Sequence, residues 1–256
     1  MAEIFMFRGV DYELGFNDYY QNDSKSGISA YLNAKIYQIS NTEFSYRIIN
    51  HWEKNKLTTS IRKGGTGWRK YSIMDRVWLY IVREMRNFGI SLAMIKKVKA
   101  NLIVKKKEVL NFPALEYYFT LTLINKPVFL LIFPDGQSQC VTDKELQMNR
   151  EFSSANNHFQ INLNAIAQKI FPSKPLKIKF KDISELSFEE RRFQQILRLE
   201  LFYETEIQLQ SGNKLIFNAE DKSKSEEAFN IITKKQYRQI KMTMNDEKIL
   251  IHKLES

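Results

Sequence analysis

A glycine-rich cationic loop has residue types that suit the binding of phosphate groups. Residues 62–70 hold three glycines between two pairs of cations, Arg62 and Lys63 on one side and Arg69 and Lys70 on the other. Glycine lets a backbone approach a phosphate closely, and Arg and Lys bind phosphate oxygens. The loop lacks the Gly-Lys-Ser/Thr ending of a nucleotide-binding P-loop and opens no predicted helix. We therefore expect a hairpin that grips a polyanionic backbone.

Other candidates for reactive chemistry are sparse. His51, His158 and His252 are too scattered along the chain to suggest a metal cluster. Cys140, the one cysteine, lies in a predicted strand and is better explained as a small buried hydrophobic residue than as a nucleophile. A single cysteine also excludes a disulfide framework. We expect no catalytic residue, no metal site, no cofactor and no enzymatic activity.

Positive charge is concentrated in one part of the 256-residue chain. Residues 28–107 hold 17 Lys and Arg against four acidic residues, a net charge of +13, whereas the whole chain carries +10. All three tryptophans fall in this block and none of the five prolines does. A compact basic module in an otherwise near-neutral chain is typical of a protein that binds nucleic acid, although a solvated basic face or a membrane-surface patch has the same composition.

The block contains a predicted helix with a basic outer face. Asn41-Thr42 or Ser45 can cap a helix that carries Ile48, Ile49 and Trp52 on its apolar side, preceded by a short helical piece with Ile36 and Ile39. Its inferred outer side shows Arg47, Asn50, His51 and Lys54. Arg and Asn can contact purine edges in a major groove, while Lys and His reach phosphates. The arrangement indicates a helix-turn-helix.

A helical hairpin is predicted after the loop. Val77, Ile81, Met85 and Phe88 recur at helical spacing within residues 75–88. Gly89 suits the position just after a helix, where positive φ is favoured, and Ser91 can cap the next helix. The second helix places Leu92, Ile95, Val98 and Leu102 on one face.

Three segments in order carry a family resemblance. Residues 45–53, SYRIINHWE, resemble the second helix of the bacterial MerR family, which reads roughly Ser-x-Arg-x-Leu-Arg-Tyr-Trp/Tyr-Glu. Residues 67–72, GWRKYS, resemble that family's wing, Gly-Tyr-Arg-x-Tyr-Ser. Residues 88–95, FGISLAMI, follow an acidic helix start at Asp75 and resemble its Leu-Gly-Phe-Ser-Leu-x-x-Ile turn. The resemblance covers less than a third of the chain and leaves residues 112–256 unrecognised.

The resemblance implies roles for individual residues. Ser45, Arg47 and His51 would lie on the recognition helix, where Asn50 replaces a usual arginine and either reads a base or weakens the grip. Arg69 and Tyr71 match wing residues that contact the DNA backbone, and Trp52 matches a core position. Trp68, which replaces a tyrosine, either packs or stacks. The DNA-binding residues implied by the helix, the loop and the resemblance together are Ser45, Arg47, Asn50, His51, Lys54, Arg62, Lys63, Gly67, Trp68, Arg69, Lys70 and Tyr71.

The chain departs from the family after Leu102. Family members continue with a long helix that forms an antiparallel dimeric coiled coil, whereas this chain offers Lys105–Lys107 and then strand patterns without heptads. The first helix of the motif is also one residue shorter than in the family. A homodimer is still what the resemblance implies, with a different interface.

The sequence predicts an α+β fold in three parts: an aromatic N-terminal arm (1–27), a MerR-like winged helix-turn-helix domain (28–104) and a mixed α+β region with antiparallel hairpins (112–256). Strands are expected at 117–123 and 128–133, with a turn at 134–136 and a short helix over 161–171. Helices are expected at 188–199 and 222–233. Hairpins are expected at 206–217 and 237–250.

These observations predict a bacterial transcriptional regulator that binds double-stranded DNA sequence-specifically. The 112–256 region would supply dimerisation, effector sensing or contact with RNA polymerase or another protein. No apolar run approaches the ~20 residues of a membrane span, so we expect a cytoplasmic, nucleoid-associated protein. Two alternatives stay open: an architectural or excisionase-like DNA-binding protein of a mobile element or chromosome, and a winged-helix protein-interaction module.

Overall fold

The computed structural model of the protein describes residues 8, 10–40, 43–58, 69–106, 109–151, 157–174 and 186–254. Its helices are α1 (Val10–Gln21), α2 (Asp23–Ser26), α3 (Ile28–Asn33), α4 (Tyr46–Lys54), α5 (Ile73–Asn87), α6 (Leu92–Leu102), α7 (Pro113–Leu123), α8 (Asp143–Glu151), α9 (Leu163–Ile170), α10 (Phe188–Leu199) and α11 (Lys222–Thr233). Its strands are β1 (Val104–Lys106), β2 (Val109–Asn111), β3 (Val128–Ile132), β4 (Ser138–Thr142), β5 (Phe159–Asn162), β6 (Phe202–Leu209), β7 (Lys214–Asn218), β8 (Tyr237–Met244) and β9 (Ile249–Lys253).

The described strands form three antiparallel sheets, which confirms the predicted α+β class with hairpins. β1 pairs with β2, a second sheet has the order β4-β3-β5, and a third has the order β7-β6-β8-β9. Leu130 faces Cys140 across the second sheet, and Ile207 faces Ile240 across the third. These four residues are fully buried, so the register is fixed by side chains that leave water together.

Helices α5 and α6 form the predicted helical hairpin. Ser72 and Asp75 make a reciprocal capping box at the start of α5. Gly89 follows the end of α5 with φ of 78°, a left-handed conformation that glycine adopts without steric cost. The hydroxyl of Ser91 then accepts a hydrogen bond from the N–H of Met94 and caps α6. The caps and the turn fix where α5 begins and ends and where α6 begins.

Residues 117–123 are helical, so the predicted strand there is wrong. They belong to α7, which Pro113 begins at the first helical position. Every residue from Leu115 to Ile124 is buried, and a helix buried all round shows neither a helical nor a strand period in its sequence. The hydroxyls of Thr120 and Thr122 donate to carbonyls three residues earlier, which satisfies them inside the core.

The short helical piece predicted around Ile36 and Ile39 is also wrong. The chain leaves α3 at Asn33 and runs through a turn to Tyr37, which forms an isolated antiparallel bridge with Tyr71. Ile36 is exposed, whereas Ile39 is buried. The two isoleucines therefore do not share one helical face, and the bridge ties the segment to the chain that enters α5.

The N-terminal arm is helical from residue 10 and packs on α7. Tyr12 stacks on Tyr118 with ring centroids 5.5 Å apart, and Phe16 meets Tyr117 edge-on at 5.8 Å. One hydrophobic cluster runs from Tyr19 in α1 to strand β8, so the arm, the basic block and the C-terminal half share a core. The predicted domain boundaries stay predictions.

Candidate nucleic-acid interface

Helix α4 is held by a cap at its start and by apolar side chains on its inner side. The Oγ of Ser45 accepts a hydrogen bond from the N–H of Ile48 at 3.3 Å, which fixes the first turn. Ile49 and Trp52 are buried, so the prediction that Trp52 belongs to the core is confirmed. With these two side chains inside, the opposite side of α4 faces solvent.

The outer face of α4, defined by Arg47, Asn50, His51 and Lys54, is exposed at all four positions. The spacing i, i+3, i+4, i+7 places them on one side of a helix. The helical spacing in the sequence therefore correctly predicted that these four residues share one exposed face of α4. Two cations and two hydrogen-bonding side chains in one row can contact phosphates and base edges.

The exposure of two apolar residues of α4 was not predicted from the sequence. Ile48 was assigned to the inner side, but 45% of its surface is exposed, and Tyr46 is 43% exposed. Centring the apolar side on Ile49 and Trp52 rather than on all three hydrophobic residues would have placed Ile48 at its edge. Exposed apolar side chains of this kind can contact thymine methyl groups where a helix enters a major groove.

The carboxyl end of α4 is anchored by the helical hairpin. The ammonium of Lys99 in α6 donates to the carbonyl of Lys56 at 3.0 Å, and the indole of Trp78 in α5 donates to the carbonyl of Leu57 at 2.7 Å. Burial lowers the pKa of Lys99, opposed by the negative charge of Asp75. Both contacts fix the chain where α4 ends, so its outer face has a defined orientation on the domain.

Ion pairs engage all four acidic residues of the basic block. Asp75 pairs with Lys35 at 2.5 Å, Glu43 with Arg76 at 2.9 Å and Glu53 with Arg69 at 2.7 Å. Glu84 pairs with Lys169 of α9, outside the block, at 2.9 Å. Each of the four acids thus pairs with a cation other than Arg47 and Lys54, the two cations of the outer face of α4.

Arg69 connects the chain after the glycine loop to α4. Its Nη2 atom lies 2.7 Å from the carboxylate of Glu53 and donates to the Oδ1 of Asn50 at 2.5 Å. The Arg69 side chain is 17% exposed and that of Glu53 is 21% exposed. Arg69 therefore has an intrachain role in this structure, and its predicted contact with a DNA backbone stays a prediction.

Tyr71 requires a correction. The family resemblance implied that Tyr71 contacts the DNA backbone, but only 2% of its surface is exposed. Its N–H donates to the carbonyl of Tyr37 at 2.9 Å, and its carbonyl accepts from the N–H of Tyr37 at 3.0 Å. A ring packed in the core is out of reach of a duplex, so Tyr71 is structural. Lys70 beside it donates to the carbonyl of Ile36 at 3.4 Å. The remaining predicted loop residues, Arg62, Lys63, Gly67 and Trp68, lie outside the described residues.

Other kinds of site are not supported in the described part of the chain. No group of three or more His, Cys, Asp or Glu residues there is placed to hold a metal ion. No described helix combines the length and apolar character needed to cross a bilayer. Cys140 is fully buried in β4, and this burial raises the pKa of its thiol to about 12. A thiol in that state is a poor nucleophile.

Comparison with protein families gives one match, which covers the elements just described. Residues 39–102 match the family model described as "MerR HTH family regulatory protein". Residues 39–102 form a MerR-type helix-turn-helix domain. The resemblance in the sequence is thereby confirmed for residues 39–102. Comparison with curated proteins and with solved structures returned no match.

The MerR-type domain comprises α4, α5 and α6 with the segments between them, 64 of the 256 residues. Its last helix ends at Leu102, and strand β1 begins at Val104. The chain thus turns directly into a β-hairpin where the family has its coiled-coil helix. Buried residues of the MerR-type domain and of the C-terminal half belong to the same hydrophobic cluster.

Proposed function

We propose that this protein is a bacterial transcriptional regulator that binds double-stranded DNA sequence-specifically, with α4 in a major groove. The observation that carries the proposal is the row of exposed side chains on the outer face of α4, Arg47, Asn50, His51 and Lys54, within a MerR-type domain. The buried Ile49 and Trp52 and the anchors at Lys56 and Leu57 hold that row in place. Asn50 supplies base recognition, and Lys54 binds phosphate.

The loop after α4 would grip the adjacent backbone. Arg62, Lys63 and Lys70 supply positive charge there, and Gly67 and Trp68 belong to the same predicted DNA-binding segment. Phosphate contacts give affinity that falls steeply with salt, whereas base contacts give the preference for one site. The two kinds of contact are thus separable by experiment.

A binding experiment tests this proposal. Affinity for a random 30-base-pair duplex and for duplexes selected from genomic fragments is measured by fluorescence anisotropy over a range of salt concentrations. Each phosphate contact contributes a slope of about −0.9 in log K against log salt. Arg47→Ala should weaken binding severalfold. Arg238→Ala is the matched control, because Arg238 is an exposed arginine of β8, outside the MerR-type domain.

Flat salt dependence would favour a protein-interaction module instead. Binding sites clustered at a recombination or replication locus, rather than between promoter elements, would favour an architectural role. We propose that the protein acts on the nucleoid in the cytoplasm and catalyses no reaction.

We further propose that the protein acts as a homodimer through residues 112–256, which also offer the surface for RNA polymerase or another protein. The support is the family resemblance, and because strand β1 follows α6 where the family has its coiled-coil helix, the dimer interface would differ from the family's. Helix-turn-helix dimers bind half-sites about one helical turn apart, so selected sites should be palindromic with that spacing. The mass of the free protein and of its DNA complex, measured by light scattering, gives the stoichiometry directly.

A further inference from the structure

The amide of Asn50 has a defined orientation. Its Oδ1 accepts a hydrogen bond from Nη2 of Arg69, and a guanidinium has only donors, so the oxygen and not the nitrogen must face Arg69. The same Nη2 pairs with Glu53, which lies one turn after Asn50 on α4. Glu53 thus fixes Arg69, and Arg69 fixes the amide.

This orientation determines which group of Asn50 meets a base. Asparagine reads adenine by accepting from N6 while donating to N7, which requires both its oxygen and its nitrogen. Here the oxygen already faces a cation, which disfavours a second donor such as the adenine amino group. Asn50 is exposed on α4, and its Nδ2 group has two hydrogens to donate.

We propose that Arg69 is a positioning residue that presents Asn50 as a hydrogen-bond donor, so that Asn50 reads guanine rather than adenine. Guanine offers two adjacent acceptors, N7 and O6, in the major groove. This inference rests on the proposed DNA binding by α4. The resemblance implied that Arg69 contacts the DNA backbone. A residue with only that role would affect all duplexes equally, whereas a positioning residue changes which base is preferred.

The test is selection of bound duplexes from a randomised library, followed by affinity measurement on single-base variants. Wild-type protein should select guanine at the position read by Asn50, and adenine there should weaken binding about 5-fold or more. Replacing that guanine by 7-deazaguanine, which lacks the N7 acceptor, should weaken binding as well. Asn50→Asp keeps an acceptor for Arg69 but removes the donors, so it should lose the preference for guanine.

Arg69→Ala should free the Asn50 oxygen and shift the preference toward adenine. Arg76→Ala is the matched control, because Arg76 also pairs with an acid of the same domain, Glu43, at 2.9 Å but does not contact Asn50 in the described structure. It should leave the preference unchanged. If Arg69→Ala fails to fold, Glu53→Gln loosens the same contact and should weaken the guanine preference.

The outcomes separate the two proposals. Selective binding in which Asn50→Ala relaxes an adenine position, or in which Arg69→Ala and Glu53→Gln leave the guanine preference intact, would overturn the role of Arg69 while DNA binding stands. Absence of any duplex binding by the wild-type protein would overturn the proposed function and this inference with it.

Discussion

The phenol of Tyr19 in α1 donates a hydrogen bond to the buried carboxylate of Glu116 in α7 at 2.9 Å. The other carboxylate oxygen accepts from the Nδ2 of Asn33 in α3 at 2.7 Å. One side chain of the central buried helix thus holds two N-terminal helices. Burial raises the pKa of Glu116, and hydrogen bonds from Ser29, Asn33 and Tyr19 oppose that shift.

The raised pKa of Glu116 predicts a pH-dependent stability. The folded state holds the proton more tightly than the unfolded chain, so this contribution is complete below the unfolded pKa of about 4.3 and is lost as pH rises through the folded pKa. The advantage of wild type over Glu116→Gln should therefore shrink as pH rises from about 4.3 toward neutrality. Urea unfolding at several pH values measures it.

Glu227→Gln provides the comparison for that experiment, because Glu227 is exposed on α11. Its unfolding free energy should parallel that of wild type at every pH. A difference between wild type and Glu116→Gln that stays constant over the whole window would contradict the raised pKa of Glu116.

Loss of the capping box should destabilise α5. Ser72 is buried, its hydroxyl accepts from the N–H of Asp75 at 3.0 Å, and its own N–H donates to the Asp75 carboxylate at 2.6 Å. Ser72→Ala should lower the free energy of unfolding by about 1–2 kcal/mol. Ser91→Ala, at the exposed cap of α6, should cost less, and equal losses measured by chemical denaturation would contradict this ranking.

Tyr71 and Lys70 should separate stability from DNA binding. Tyr71→Ala removes a buried ring and should lower the free energy of unfolding by about 3–5 kcal/mol, whereas Tyr71→Phe should bind DNA like wild type. Lys70→Ala should keep the stability and make the log K against log salt slope less steep by about 0.9. If the Tyr71→Phe variant folds normally but binds random duplex weakly, the Tyr71 hydroxyl contacts phosphate after all.

Cys140 should be unreactive in the folded protein. Its thiol is fully buried, and burial raises its pKa to about 12. A thiol reagent at pH 8 should therefore modify it only as fast as the protein unfolds, and at full rate in denaturant. Rapid modification of the native protein would show that β4 opens readily.

Local signals in the sequence determined much of the fold. The predicted helices at 188–199 and 222–233 have those bounds in the structure, and the two C-terminal hairpins have turns where they were expected. Ser45, Gly89 and Ser91 end or begin their helices as predicted, because a cap depends on residues within one turn. The outer face of α4 also followed from sequence, since helical spacing alone assigns its side.

Tertiary structure alone decided the features that depend on distant partners. Residues 117–123 are a helix because packing on every side outweighs the strand preference of their tyrosine, phenylalanine and threonine side chains. Tyr71 is buried, and its backbone pairs with that of Tyr37, 34 residues away. Asn50 and Arg69 meet across 19 residues, and no local pattern records which atom of an amide will face a guanidinium. Periodicity describes one element at a time, whereas these contacts exist only after several elements have packed together.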